Sequence, residues 1–228
     1  MPRIAFVQMT SSAKLEDNLT YMEARVKEAA QAGAYLVVFP EMAYFIGSQA
    51  QAIQVVDEFE RVLERFSKMA SNYEIAVLPG TLREPVPASP GRYYNTLPVF
   101  SVQGDPVAYY RKLHLFRATL PDHEYFEGKY CEAGDEIVTT EIAGLEVGLA
   151  ICYDLRFPEL FRALKKRRAD LVVLPSAFTV PTGQAHWETL VRARAIENQF
   201  FMVAPGQVGT TGDGKPTHGN SLAVGPWG

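Results

Sequence analysis

Cysteine is scarce in this chain: two, Cys131 and Cys152, in 228 residues. A secreted scaffold stapled by disulfides needs more, so a reducing compartment, the cytoplasm, is expected. No apolar run approaches the ~20 residues that span a bilayer. The N-terminal MPRIAFVQM also lacks the charged-then-apolar layout of a signal peptide. Basic excess is missing as well. Lys and Arg total 22 against 26 acids, a formal net charge of −4, which offers no electrostatic footprint for nucleic acid or an anionic membrane. KKRR at 165–168 is the only basic cluster, and it suits a solvated helix C-terminus, where cations are favoured. The four histidines, at 114, 123, 186 and 218, show no HExxH-type ligand spacing, so no metal centre is indicated.

What the chain does have is apolar content. At 47% hydrophobic and 21% charged it is globular, with a length suited to one large domain. Short apolar runs at 3–9, 35–39 and 75–78, mostly ended by Pro or Gly, predict strands. Between them, Leu19, Met22, Val26 and Ala30 mark one face of a helix over 16–32. Ile53, Val56, Leu63 and Phe66 do the same over 49–70. RYYNTLPVFSV (92–102) and PVAYYRKLHLF (106–116) flank the turn QGD as a hairpin, and 136–151 predicts another. Helix 158–168, strand 170–174, helix 186–198, strand 200–204 and a last strand near 220–224 follow. AYLVVFP (34–40) matches ADLVVLP (169–175) at five of seven positions, which suggests two βαβ-containing halves with their sheets packed together. Glu41 and Ser176 then occupy corresponding strand ends, where open α/β sheets place ligands.

Three residues invite chemistry. In LEVGLAICYDLRFPELFR (145–162), Val147, Leu149 and Ile151 alternate as a strand, and Pro158 suits a first helical turn. Cys152 falls in the tight turn between, where a helix N-terminus favours the thiolate and backbone N–H groups can hold an oxyanion. The competing reading is an ordinary core cysteine. Glu41, directly after a buried strand, is a desolvated acid suited to act as a base, or else a solvated loop acid. Lys112 alternates with Tyr110 and His114 on one face, as an edge-strand gatekeeper or a preorganised cation.

VVFPE (37–41), RKLHLF (111–116) and ICYDLRFPE (151–159) resemble, in order and rough spacing, the three catalytic motifs of the nitrilase superfamily of carbon–nitrogen hydrolases. SAFTVPTGQAHWETLVRARAIENQ (176–199) resembles the block that follows in its amidase branch, which contains ω-amidase and deaminated-glutathione amidase. GNSLAVGPWG (219–228) is similar to a strand and turn near the family's end. The resemblance covers essentially the whole chain. It implies an α/β fold, a four-layer α-β-β-α sandwich of two packed mixed sheets, built by 1–228 as one domain without the strand and tail that members usually carry beyond the Pro-Trp-Gly turn.

The resemblance also implies roles. Glu41 is the general base, Lys112 the oxyanion stabiliser and Cys152 the nucleophile that forms a thioester. A second glutamate, in DHEYFEGKY (122–130), is Glu127, with Glu124 the fallback. The Tyr153 N–H is a further oxyanion donor, and Arg156 a fork for a substrate carboxylate, unless it is a surface residue paired with Asp154 or Glu159. The expected substrate is a small carboxylated amide, such as the ω-amide of a 2-oxo acid, with N-carbamoyl amino acids and nitriles as alternatives. No metal or cofactor is required, and a homodimer or higher homo-oligomer is expected. Two rivals stand beside this: a cysteine-protease-like Cys152–His218 pair, suggested by HGN at 218–220, and a non-catalytic interaction protein on the same fold.

Overall fold

Strands with apolar side chains on both faces pair in parallel where helices cover their crossovers, and the chain begins in that way. The computed structural model describes residues 3–87, 89–120 and 123–228. β1 (Ile4–Phe6), α1 (Leu15–Gln31), β2 (Leu36–Val38), α2 (Gln49–Gln54), α3 (Phe59–Tyr73) and β3 (Ala76–Leu78) come first. β1, β2 and β3 are parallel, with Ile4 opposite Leu36 and Leu36 opposite Ala76. β4 (Leu82–Pro85), β5 (Tyr93–Phe100) and β6 (Pro106–Arg111) extend this sheet antiparallel. β7 (Arg117–Leu120) and β8 (His123–Phe126) form a separate hairpin, and β9 (Cys131–Glu132) returns alongside β5.

The second sheet repeats the scheme. β10 (Thr139–Ile142) and β11 (Leu145–Leu149) make a hairpin, followed by α4 (Pro158–Lys166), β12 (Leu171–Val173), α5 (Val180–Asn198) and β13 (Phe201–Ala204). β11, β12 and β13 are parallel. After the hairpin of β14 (Val208–Thr210) and β15 (Pro216–His218), β16 (Leu222–Val224) closes the sheet antiparallel to β13.

Period-two alternation sorts the side chains into layers. Leu36, Val38 and Leu78 share one core with Val147, Leu149 and Leu171 of the other sheet. Val37 and Val77 point the opposite way, into Met22 and Val26 of α1 and Phe66 and Met69 of α3. Phe161 and Leu164 of α4 and Trp187 and Val191 of α5 pack on the second sheet. The order is helix, sheet, sheet, helix. The two matching heptapeptides supply β2 and β12, the middle parallel strand of each sheet.

Three stretches depart from the sequence reading. The helix expected over 49–70 is interrupted by a 3-10 turn, Val55–Glu58. Val55 and Val56 are buried there, and β-branched side chains are poor helix formers, so packing overrides continuity. α5 starts at Val180 rather than 186, since Pro181 is tolerated in a first turn. Gly183 fits within it because a Cβ there would lie 2.2 Å from the His218 ring. TTGDGKPTHG (210–219), whose glycines read as a loop, folds into the β14–β15 hairpin.

Candidate active site

Glu41 stands just past β2, where the two sheets meet. Gly80, at φ +77°, lets the chain beyond β3 press against this strand end, for a Cβ would sit 1.8 Å from the Pro40 carbonyl oxygen. The Glu41 side chain is buried, and its Oε2 accepts from the Ala177 N–H at 3.0 Å. Ala177 follows the end of β12, so the corresponding strand ends of the two halves touch through this bond. The Glu41 carbonyl accepts from Gln207 Nε2 at 3.0 Å, and Gln207 is itself held by Ser11.

Lys112 lies one residue beyond β6 and is 1% exposed, which excludes an edge-strand gatekeeper. Its Nζ is 3.0 Å from Glu41 Oε1 and 2.9 Å from Glu127 Oε2. Glu127 also accepts from the Phe116 N–H at 2.7 Å. The Asn95 amide bridges both acids, donating to Glu41 at 2.9 Å and Glu127 at 3.1 Å. Burial works against the Lys112 ammonium, yet Glu127 and Glu41 outweigh it and hold its pKa well above that of a free lysine. Burial likewise disfavours a charged Glu127, but the Lys112 charge, with the Phe116 N–H, keeps its pKa below the usual carboxylate value. Glu124 is exposed in β8 and is not among the ion-pair partners of Lys112.

Cys152 opens a 3-10 turn, Cys152–Arg156, directly after the strand run of β11. Its φ of +46° is unusual for a residue with a side chain, and such strain is characteristic of functional turns. The backbone N–H donates to the Pro175 carbonyl at 3.0 Å, and the thiol lies in hydrogen-bonding reach of Glu41. Here the structure corrects an expectation. A helix N-terminus was to favour the thiolate, but α4 begins only at Pro158, beyond the turn. Burial, followed by the Glu41 charge, pushes the thiol pKa well above normal, and Lys112 offsets only part of this. The resting group is a thiol beside the Glu41 carboxyl.

Asp154 is fully buried and ties the Cys152 turn to the segment carrying Lys112. It accepts from the Ile151 N–H (2.8 Å), the Tyr110 hydroxyl (2.7 Å) and the His114 N–H (3.1 Å), and lies 2.7 Å from His114 Nδ1. His114 stacks on Phe157 at 3.7 Å. Neither Asn95 nor Asp154 was singled out from the sequence as a site residue. The only available signals were a polar residue inside an otherwise apolar strand and an acid two residues past the cysteine.

These groups line a cleft of about 510 Å³ together with Tyr153, Arg156 and the aromatic Tyr93, Phe116 and Phe178. Arg156 is half-buried, 3.3 Å from His186 Nδ1 and over the Tyr153 and Phe178 rings, and pairs with neither Asp154 nor Glu159. Outside the Glu41–Lys112–Glu127 cluster, the described residues lining the cleft include Arg83, Lys129, Arg156 and Lys215, the last 3.9 Å from Asp213, against Glu124, a positive excess in a chain of net charge −4. His218 does not line it; its N–H bonds the Phe178 carbonyl and its ring meets Asn220.

Two helix-covered sheets packed face to face, with a thiol, two acids and an amine converging at their strand ends, define an α-β-β-α sandwich hydrolase. The chain belongs to the carbon–nitrogen hydrolase family, which it matches over residues 3–228. It is 37% identical to a deaminated glutathione amidase of Synechocystis sp., across 98% of this chain and 84% of that protein. It is 35% identical to the omega-amidase NIT2 of Mus musculus, across 99% and 82%. The crystal structure of the Caenorhabditis elegans NitFhit protein superposes with a TM-score of 0.93 at 36% identity, over all of this chain and 57% of that one. A mutant of the amidase from Nesterenkonia sp. AN1, its active site cysteine carrying acrylamide after Michael addition, superposes at 0.85 with 26% identity, covering 100% and 86%.

Proposed function

We propose that the chain hydrolyses the C–N bond of a small carboxylated amide, the ω-amide of a 2-oxo acid such as 2-oxoglutaramate or deaminated glutathione, through a Cys152 thioester. The observation that carries this is the buried Lys112 ammonium held by Glu41 and Glu127 beside the Cys152 thiol. The likeness to a deaminated glutathione amidase and an omega-amidase supports the substrate class, and the positive cleft supports a carboxylate on it.

Glu41 takes the thiol proton as Cys152 Sγ adds to the amide carbon. The oxyanion is held by the Lys112 ammonium and the Tyr153 N–H; the Cys152 N–H is already engaged by Pro175. Glu41 passes its proton to the nitrogen, the C–N bond breaks, and ammonia or the amine leaves from a thioester. Water then gives a proton to Glu41 and adds to the thioester carbon. Collapse expels the thiolate, which recovers the proton and yields the carboxylic acid. Lys112 stays charged throughout, because its pKa is far above neutral. Arg156, without an acid partner among the described residues, pairs with the substrate carboxylate. A cytoplasmic location and self-association belong to the same reading, and both cysteines are free thiols.

The test is ammonia release from 2-oxoglutaramate, with intact-mass analysis after acid quench. An acyl adduct on the wild type, absent from Cys152→Ala together with turnover, is expected. Turnover by Cys152→Ala, or no product from any carboxylated amide, overturns the proposal.

A further inference from the structure

Among the described residues, five charged side chains are buried: Glu41, Arg83, Lys112, Asp154 and Arg194. Four have partners of opposite charge or a histidine: Glu41 and Lys112 each other, Arg194 with Glu197, Asp154 with His114. Arg83, 7% exposed on β4, has none. Its partners are neutral: Nη1 reaches the Phe45 carbonyl at 3.3 Å and the Tyr44 hydroxyl at 3.5 Å, and the guanidinium also hydrogen-bonds the Tyr93 side chain. The Phe45 and Tyr93 rings flank the guanidinium at 6.0 and 5.4 Å, and Nε is buried without any acceptor. The neighbouring Glu84 is committed to Arg111 and Thr96. A buried cation without a counter-ion is costly, and it is kept where an anion arrives to compensate it.

Arg83 lines the catalytic cleft. It stands opposite Asn95 in the β4–β5 register, next to the amide that bridges Glu41 and Glu127. The Asn95 Oδ1 is also buried and unpaired, a second polar atom left open at the same spot. Arg156 follows β11 of the second sheet and Arg83 lies on β4 of the first, so each half contributes one guanidinium to the lining of the cleft.

We propose that Arg83 is an anion anchor that pairs with a second carboxylate of the substrate, so that the enzyme prefers amides carrying a carboxylate at each end. This rests on the amidase reading and deepens it. The test compares kcat/KM for glutarylglycine, with carboxylates on both sides of the amide, glutaramate with one, and butyramide with none. The wild type prefers glutarylglycine. In Arg83→Met the ratio of glutarylglycine to butyramide kcat/KM falls about 100-fold, as expected for charge-assisted bonds to a carboxylate, mostly through KM, and Arg83→Lys recovers part of it.

A ratio unchanged in Arg83→Met overturns the proposal, because a purely structural loss lowers all substrates together. A wild type that handles glutarylglycine no better than butyramide overturns it without any variant. If the wild type hydrolyses none of the three, the amidase reading fails separately. Arg83 is then judged by calorimetric binding of glutarate, which should weaken about 100-fold in Arg83→Met; equal affinity overturns the proposal.

Discussion

Replacing Lys112 by methionine keeps the side chain's length and removes its charge. Two carboxylates, 3.0 and 2.9 Å from Nζ, then lose their counter-ion in a site where Lys112 itself is 1% exposed. Removing one partner of a buried ion pair costs about 3–5 kcal/mol, which for a domain of this size lowers Tm by roughly 6–20 °C. The pH dependence carries more information than the size. In the wild type, the lowered Glu127 pKa contributes stability that is present above the ordinary carboxylate value and lost as pH falls through the folded value. The raised Lys112 pKa contributes stability that is present below the ordinary lysine value and lost as pH rises through its folded value. Between those limits the cluster is flat.

In Lys112→Met the balance at Glu127 inverts. Burial becomes the dominant influence, the folded pKa rises above the unfolded one, and stability should increase as the pH falls from about 8 to about 5. Urea denaturation of both proteins across that range measures this, with ammonia release expected to drop by at least 100-fold through loss of the oxyanion cation. A variant within about 1 kcal/mol of wild type, with the same pH profile, would refute the idea that the two acids depend on this amine.

Asp154→Asn keeps an acceptor for one backbone N–H but cannot serve four donors. Steady-state kinetics should show kcat reduced about 100-fold with KM within threefold, since small displacements of reacting groups are expensive; an equal loss in KM would make Asp154 a substrate contact instead. His218→Ala should retain activity with an unaltered pH–rate profile, and a lost alkaline or acid limb would revive the cysteine–histidine pair.

Much of the layered architecture was legible because β2 and β12 are apolar on both faces and sit between helices with a clear 3.6-residue face. The repeat AYLVVFP/ADLVVLP even located the middle strand of each sheet. Glu41, Lys112 and Cys152 were individually ambiguous and became readable only as a set of three motifs in order. Glu127 was preferred to Glu124 through the family resemblance alone. They are three residues apart, and only the path of the turn after β8 decides which one reaches Nζ. Asn95 and Arg83 were illegible for a related reason. Their place at the cleft comes from cross-strand register, which pairs residues distant in sequence, and Arg83 stands out because it has no ion-pair partner among the described residues. The thiol's pKa was misjudged because proximity to a helix start says nothing about how deeply the thiol is buried or about Glu41, which the other sheet brings alongside.

Glu41 and Lys112 come from one sheet and Cys152 from the other, joined by the bond from the Ala177 N–H to Glu41. On the proposed mechanism, neither half of the polypeptide, folded by itself, holds the means of bond cleavage. Turnover is therefore a readout of how completely the halves have come together during refolding, and it should return only in the final kinetic phase, after secondary structure has already formed.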